Sequence, residues 1–398
     1  MNEVQTLDQT YHFQLYKRQP ITLVRGEGVH VWDESGRQYL DALAGIAVNN
    51  VGHCHPRVVE AIRDQAGKLM HVSNLYTTPP QANLAKRLVD LTPLDRVFFC
   101  NSGTEAIEGA IKLVRRYNYQ KGKTGKILAM EGCFHGRSLG AIAMGKAKYQ
   151  EGYQPLPEGF QQIPFNDLDA LKEAFTDDVI GVFMEPIQGE GGINIANQEY
   201  ITAVRELCNQ HDALLVFDEI QCGFGRTGKF LASEHFNVVP DVVTLAKGLG
   251  GGFPIGAVLA KEDVASAFTY GSHGTTFGGN ALACRAGLAA IDALFEDHLM
   301  TKAQESGEWL ISRLKEAMSV EGAIKEVRGI GLMIGVELAF PGASVVDTMR
   351  EKGVLANCTS ENVIRIVPPL VIEHDDLETI VDVLLHAINK EQAVQHAK

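Results

Sequence analysis

Two side chains able to do covalent and proton chemistry end two short apolar runs. Residues 214–217 (LLVF, preceded by Ala213) lead into Asp218, and residues 242–246 (VVTLA) lead into Lys247. Each run is too short for a helix and apolar throughout, which predicts a strand buried on both faces of a parallel sheet. Ligands of such sheets collect at the carboxyl ends of the strands, so a carboxylate and an amine delivered there share one pocket. An amine in that place can hold an aldehyde carbon, and a carboxylate can keep a proton on a pyridine nitrogen and turn the ring into an electron sink. Those are the two demands of pyridoxal 5'-phosphate. A surface lysine and a strand-end cap are the plain alternatives. The residues after Lys247 speak against them, because GLGGGFPIG places five glycines in nine residues, as where backbone passes close to a ligand. No GK[ST] closes that run, so it is not a P-loop.

The elements that must position this pair are legible around it. VFFC (97–100) reads as a strand leading into SGTEAIEGAIK, whose apolar residues keep helical period from Ala106 onward. Ser102, Gly103 and Thr104 fall on the first turn, where free N–H groups and hydroxyls bind a phosphate; plain N-capping is the other reading. KILAMEG (126–132) is a further strand. After it, Phe134 can lie on a cofactor ring or fill the core, and Arg137 in a glycine-flanked loop can clamp a carboxylate or stay solvated. VIGVFME ends a strand at Glu185, a glycine-rich turn carries Glu190, and residues 198–212 are helical. Strand and helix thus alternate from about 97 to 260, the pattern of an α/β fold with a mostly parallel central sheet flanked by helices.

Outside that stretch, a polar lead precedes ITLVRGEGVHVWDESGRQYLDAL, which begins at Ile21, and alternation around Val29, Val31 and Tyr39 predicts a hairpin. GHCHP (52–56) has no acidic or thiol partner at ligand spacing, so a turn or a subunit contact is expected there rather than a metal site. Residues 147–165, rich in Pro and Gly, are expected to be surface loop. In GTTFGGN, Thr275 and Thr276 offer hydroxyls to a phosphate or substrate, reaching across a dimer. Beyond 295 the expected order is helix, strand, helix, strand and helix. Arg365 sits inside an apolar strand, as a structural ion pair or a second carboxylate clamp.

A chain of 398 residues exceeds one ordinary core. We expect a large cofactor-binding domain at 51–285 and a smaller α+β domain assembled from 1–50 and 286–398. The net charge of -13 disfavours nucleic acid and anionic membrane as partners. Seven cysteines without a C-x-x-C pair suit free thiols, with neither a disulfide frame nor a bound metal. The N-terminus shows no signal or transit pattern, so a cytoplasmic protein is expected. No GxGxxG follows a first strand, which argues against a nicotinamide dehydrogenase.

Taken together, SGTEAIEGAIK, FHGR, EPIQGE, DEIQCGFGRTG, LAKG and GTTFGGN resemble the class III aminotransferases of fold type I over nearly the full chain. The resemblance implies a homodimer with active sites at the subunit interface, working on an amine and a 2-oxo acid. It makes Lys247 the lysine bound to pyridoxal phosphate, Asp218 the partner of the pyridine nitrogen and Gln221 a neighbour of the ring hydroxyl, with Glu219 beside them. Ile220 would press one face of the ring and Phe134 the other. Ser102, Gly103 and Thr104 match the phosphate cup, completed by Thr276 of the other subunit. Arg365 matches the arginine that takes a 2-oxoglutarate carboxylate, and Glu190 the glutamate that pairs with it. Arg137 and Thr275 match positions that hold the second carboxylate or the acyl end. Ile46, counted from GHCHP, stands where members acting on ornithine carry a tyrosine, which implies an acylated amine; members acting on 4-aminobutyrate share an aliphatic residue there. A regulator that keeps fold and cofactor without turnover is the non-enzymatic alternative.

Overall fold

The computed structural model describes residues 2–396. Its centre is a seven-stranded sheet built from β1 (Arg96–Cys100), β2 (Lys126–Met130), β3 (Phe160–Ile163), β4 (Val179–Met184), β5 (Leu214–Asp218), β6 (Val242–Leu245) and β7 (Gly256–Ala260), in the order β1-β7-β6-β5-β4-β2-β3. The pairs around β5 are parallel, and β7 alone runs against both of its neighbours. Every residue of β4, β5 and β6 is buried. That is why these strands are apolar without alternation: helices cover both faces.

Register carries the chemistry. Asp218 lies opposite Thr244 on β6, and Phe217 lies opposite Met184 on β4. Glu185, the next residue, is thereby delivered beside Asp218. Helix α1 (Gly103–Gln120) follows β1 directly and buries Ala106, Ile107, Ala110, Ile111 and Val114 against the sheet. The helix Ala281–Glu296 packs on the opposite side, burying its alanine face in the main core.

Two four-stranded sheets flank this centre. One joins Leu23–Glu27, His30–Asp33 and Gln38–Asp41 to Val354–Leu355 from the other end of the chain. The second pairs Ile324–Ile330, Met333–Leu338, Val363–Ile366 and Asn357–Thr359. One contiguous cluster of buried side chains runs from Val29 and Leu40 through the central sheet to Leu384 and Ile388. Among the described residues no helix is long and apolar enough to cross a membrane.

Four segments differ from the sequence reading. The polar lead holds a helix, Glu3–Tyr11, none of whose residues is buried. The expected loop 147–165 contains β3, whose FQQI pattern carries two glutamines because it is the sheet edge. The glycine-rich tail after Lys247 continues into β7, and IKEVRGI is a strand whose alternating charges mask it. GHCHP is a turn, with His53 Nε2 2.7 Å from Asp41 Oδ2 and His55 accepting from Arg57 N ahead of the helix Pro56–Ala66.

A strained turn precedes it. Ala44, Gly45, Ile46 and Ala47 all have positive φ, at 51°, 63°, 67° and 57°. Three of these are not glycine, and left-handed backbone costs such residues roughly 1–2 kcal/mol each. Asp41 holds the turn by accepting from the N–H groups of Leu43 and Ala44, both at 2.9 Å.

Candidate active site

A cavity of about 330 Å³ opens at the carboxyl ends of β5 and β6. Asp218 and Lys247 both line it, joined by Ser102, Gly103 and Thr104 at the start of α1. Val48, Phe134, Ile220 and Phe253 give it apolar walls.

Asp218 is buried and held from three directions. Its Oδ1 accepts from Ile220 N at 3.0 Å and from Thr244 Oγ1 at 3.2 Å, and its Oδ2 lies 2.8 Å from His135 Nδ1. Glu185 accepts from Phe134 N and Gly189 N, each at 2.9 Å. Burial pushes its carboxyl up to about 7; the His135 charge opposes this and the Asp218 charge adds to it. Burial also works against a charged His135, but its contacts with Cys133 and Asp218 outweigh that and raise its pKa.

Lys247 opens a tight turn with φ of 38°, a left-handed conformation that a lysine adopts only where its surroundings impose it. Burial lowers its amine to about 8, helped by the positive charge of Arg365 and opposed by Glu190, Asp218 and Glu185. The amine therefore loses its proton as the pH rises through about 8, well below the ordinary lysine range.

At the start of α1, Ser102 Oγ accepts from Glu105 N at 3.3 Å. The N–H groups of Gly103 and Thr104 keep no partner among the described residues. A Cβ at position 103 would come within 2.9 Å of Ile220 Cδ1, so glycine is what lets this turn close onto the cavity wall.

Arg365 is fully buried, between Gly335 and Asn357 on neighbouring strands. Its Nε donates to Asn357 Oδ1 at 3.1 Å, and its Nη1 donates to Gln221 Oε1 at 3.0 Å and pairs with Glu190. Its Nη2 is buried with no hydrogen-bond partner among the described residues. Burial pushes the Glu190 carboxyl up, yet Arg365 and Lys247 hold it below its ordinary range. Gln221 joins this pair to the cavity it also lines.

The family description "Aminotransferase class-III" matches residues 14–388. The chain belongs to the class-III aminotransferases. It is 53% identical to an acetylornithine aminotransferase of Methanocaldococcus jannaschii, over 95% of this chain and 96% of that one. A solved ornithine aminotransferase of Toxoplasma gondii, described with partial occupancy of PLP at its active site, superposes with a TM-score of 0.94 at 34% identity, covering 99% of this chain and 94% of that one. An N-acetylornithine aminotransferase of Stenotrophomonas maltophilia superposes with a TM-score of 0.84 at 38% identity, covering 98% and 99%. The fold is that of fold type I pyridoxal-phosphate enzymes, with the mostly parallel sheet described above.

The class-III aminotransferase cavity suits its family's cofactor on local grounds. Two backbone N–H groups without a partner among the described residues, at the positive end of an 18-residue helix, are placed to donate to a phosphate. Phe134 and Ile220 line the space a flat ring would take, a carboxylate stands at one end, and Lys247 offers an amine for an aldehyde. Other residues singled out from sequence lie outside the lining. Glu219 is buried, and its carboxylate accepts from the N–H groups of Ala232 and Ser233. Its neighbour relation to Asp218 does not bring it into the cavity. Arg137 is exposed, with its guanidinium 3.8 Å from the Tyr149 ring centroid and 5.6 Å from that of Phe134. Thr275 Oγ1 accepts from Asn101 Nδ2 at 3.3 Å, and Thr276 is exposed. Sequence reasoning passed over His135, Thr244 and Val48. Thr244 had a signal, a lone hydroxyl within an otherwise apolar strand. His135 had none beyond its place between Phe134 and Arg137.

Proposed function

We propose that this class-III aminotransferase transfers the δ-amino group of N2-acetyl-L-ornithine to 2-oxoglutarate. The products are N-acetyl-L-glutamate 5-semialdehyde and L-glutamate, a step of arginine biosynthesis. The observation that carries this reading is an amine and a carboxylate on adjacent strands of one cavity, in a chain about half identical over nearly its full length to curated acetylornithine aminotransferases. The ornithine aminotransferase neighbours keep ornithine in view as a second donor.

Pyridoxal phosphate, when bound, supplies an aldehyde that condenses with amines and a ring that accepts the electron pair left as the amine-bearing carbon loses its proton. The residues do the rest. Lys247 Nζ, neutral above about pH 8, would accept the proton from the substrate δ-carbon and deliver it to the carbon that carried the cofactor's aldehyde. Asp218 Oδ2 would keep a proton on the ring nitrogen, and the positive charge of that proton would stabilise the electron pair entering the ring. Ser102, Gly103 and Thr104 would anchor the phosphate, Ile220 and Phe134 would flank the ring, and Gln221 would reach its hydroxyl. Arg365 takes a carboxylate of 2-oxoglutarate when Glu190 moves aside, and Glu190 neutralises it while the amine donor is bound. Arg137 and Thr275 receive the donor's remaining carboxylate or acyl end.

The reading includes a homodimer in the cytoplasm, with domains divided near residues 50 and 285. Support for a second copy comes from exposed apolar side chains on two neighbouring segments: Met70, Leu75 and Tyr76 on one, Tyr270 and Phe277 on the other. Asn74 Nδ2 donating to Gly278 O at 3.0 Å and the His71–Phe277 ring contact bring the segments together. Thr276 on this surface would complete the partner's phosphate site.

The test is glutamate formation from 2-oxoglutarate with acetylornithine, succinylornithine, ornithine and 4-aminobutyrate. The highest kcat/KM is expected for acetylornithine, and a better rate with another amine overturns the substrate assignment. A visible absorbance change with amine but no glutamate from any donor would instead establish the regulator.

A further inference from the structure

We propose that His135 is the positioning residue of Asp218: through its Nδ1–H, 2.8 Å from Oδ2, it fixes the carboxylate so that one lone pair faces the cavity. The inference rests on the reading that Asp218 meets the ring nitrogen. An ionised carboxylate offers about four acceptor positions and no donor, so the hydrogen in this contact belongs to the imidazole. Ile220 N and Thr244 Oγ1 fill both positions on Oδ1. His135 takes one on Oδ2, and the position left over belongs to the oxygen that His135 holds.

The imidazole cannot swing to another acceptor. His135 and Asp218 are 2% and 3% exposed, and the Phe183 ring stands edge-on to His135 at 6.2 Å with a 73° interplanar angle. His135 Nε2 has no hydrogen-bond partner among the described residues. A buried polar ring that leaves one nitrogen unpartnered loses solvation without return at that atom. The contact that offsets this at Nδ1 is the one to Asp218, with Cys133 also beside the ring. Losing it would leave Oδ2 without a protein donor and free the carboxylate to turn about the bonds that Oδ1 makes.

The test compares the affinity of cofactor-depleted protein for pyridoxal phosphate with that for its 1-deaza analogue, in which C–H replaces the ring nitrogen. Both are read by titrating protein fluorescence. His135→Leu is expected to lower the preference for pyridoxal phosphate by about 10-fold or more, an order typical of partners that orient a functional ligand, with deaza-analogue affinity within about 3-fold. His135→Asn, which keeps an amide donor, is expected to regain most of that preference. Equal weakening toward both compounds would mean that the residue merely supports the cavity, and an unchanged preference would mean it does not act on Asp218; either overturns the proposal. Asp218→Ala is the control. If it leaves the preference intact, the ring-nitrogen reading of Asp218 itself falls, whereas a collapse there with no change in His135→Leu removes only the role of His135. Should His135→Leu fail to fold, His135→Phe fills the space beside Phe183 without a donor and takes its place in the comparison.

Discussion

The two ends of the site bury opposite charges in opposite ways, Asp218 on the cavity wall and Arg365 behind Gln221, outside the lining. Asp218 is held by donors from β6, from its own following turn and from the loop after β2, all anchored in the central sheet. Arg365 lies on a strand of a flanking sheet, and its carboxylate partner Glu190 comes from a glycine-rich turn, leaving Nη2 without a partner among the described residues. Burying a charge is costly unless it is paired and hydrogen-bonded. At Asp218 that requirement is met by groups that have no other place to go. At Arg365 one guanidinium nitrogen still waits for an acceptor, and although Thr359 Oγ1 fixes the Glu190 backbone by donating to its carbonyl at 2.7 Å, the Glu190 side chain is the part that can exchange. One end is built to hold a single geometry, the other to exchange partners.

Substitutions at the two ends separate these descriptions. Lys247→Ala, which removes the amine between them, is expected to lower turnover more than about 1000-fold while the far-UV spectrum and unfolding temperature stay native; measurable turnover at wild-type order would remove the lysine from the chemistry. Asp218→Asn is expected to lower kcat about 100- to 1000-fold while the KM for the oxo-acid acceptor changes little, as for a preorganised group acting on transition-state charge. Arg365→Met should show the reverse split, raising the acceptor's KM about 10- to 100-fold through loss of charge-assisted hydrogen bonds. If both variants changed kcat alone, the contrast between a fixed and an exchangeable end would fail.

The same arginine sets a sign for pH. Its charge helps to hold the Lys247 amine down at about 8, so removing it raises that pKa. The neutral amine is the form that reacts with an aldehyde, so capture of pyridoxal phosphate by depleted protein should speed up with rising pH through about 8. In Arg365→Met the midpoint should move to higher pH; a shift downward would contradict the charge contact. The smallest effect is expected at the phosphate end, where Ser102→Ala removes an N-cap and should cost about 1 kcal/mol of stability in a denaturant titration.

The same contrast explains how far these ends were legible in the sequence. Asp218, Lys247 and the SGT turn announce themselves because parallel strands buried on both faces are apolar runs, and whatever ends them stands out. Arg365 was visible as a charge in an apolar strand; of the two alternatives the ion pair with Glu190 is present, and the open Nη2 is what a carboxylate clamp would need. His135 stayed hidden because its significance lies in a contact across 83 positions of sequence. β3 was missed because an edge strand carries polar residues, and the helix Glu3–Tyr11 because it buries none of its own. Local pattern reports burial; it reports pairing only where burial forces it.

The left-handed turn at Ala44–Ala47 bears on how the cavity's specificity could be altered. Val48, the next residue along, lines the cavity, and Ile46 within the turn is 38% exposed. Because Asp41 accepts the N–H groups that hold the turn, side-chain size at position 48 and backbone shape at 44–47 are separate controls: the first changes what the wall presents, the second whether there is a fixed wall at all. An engineer who enlarges residue 48 while leaving Asp41 and its His53 contact in place keeps a shaped surface, whereas one who disturbs Asp41 lets three strained residues relax and forfeits the template on which any new side chain would be displayed.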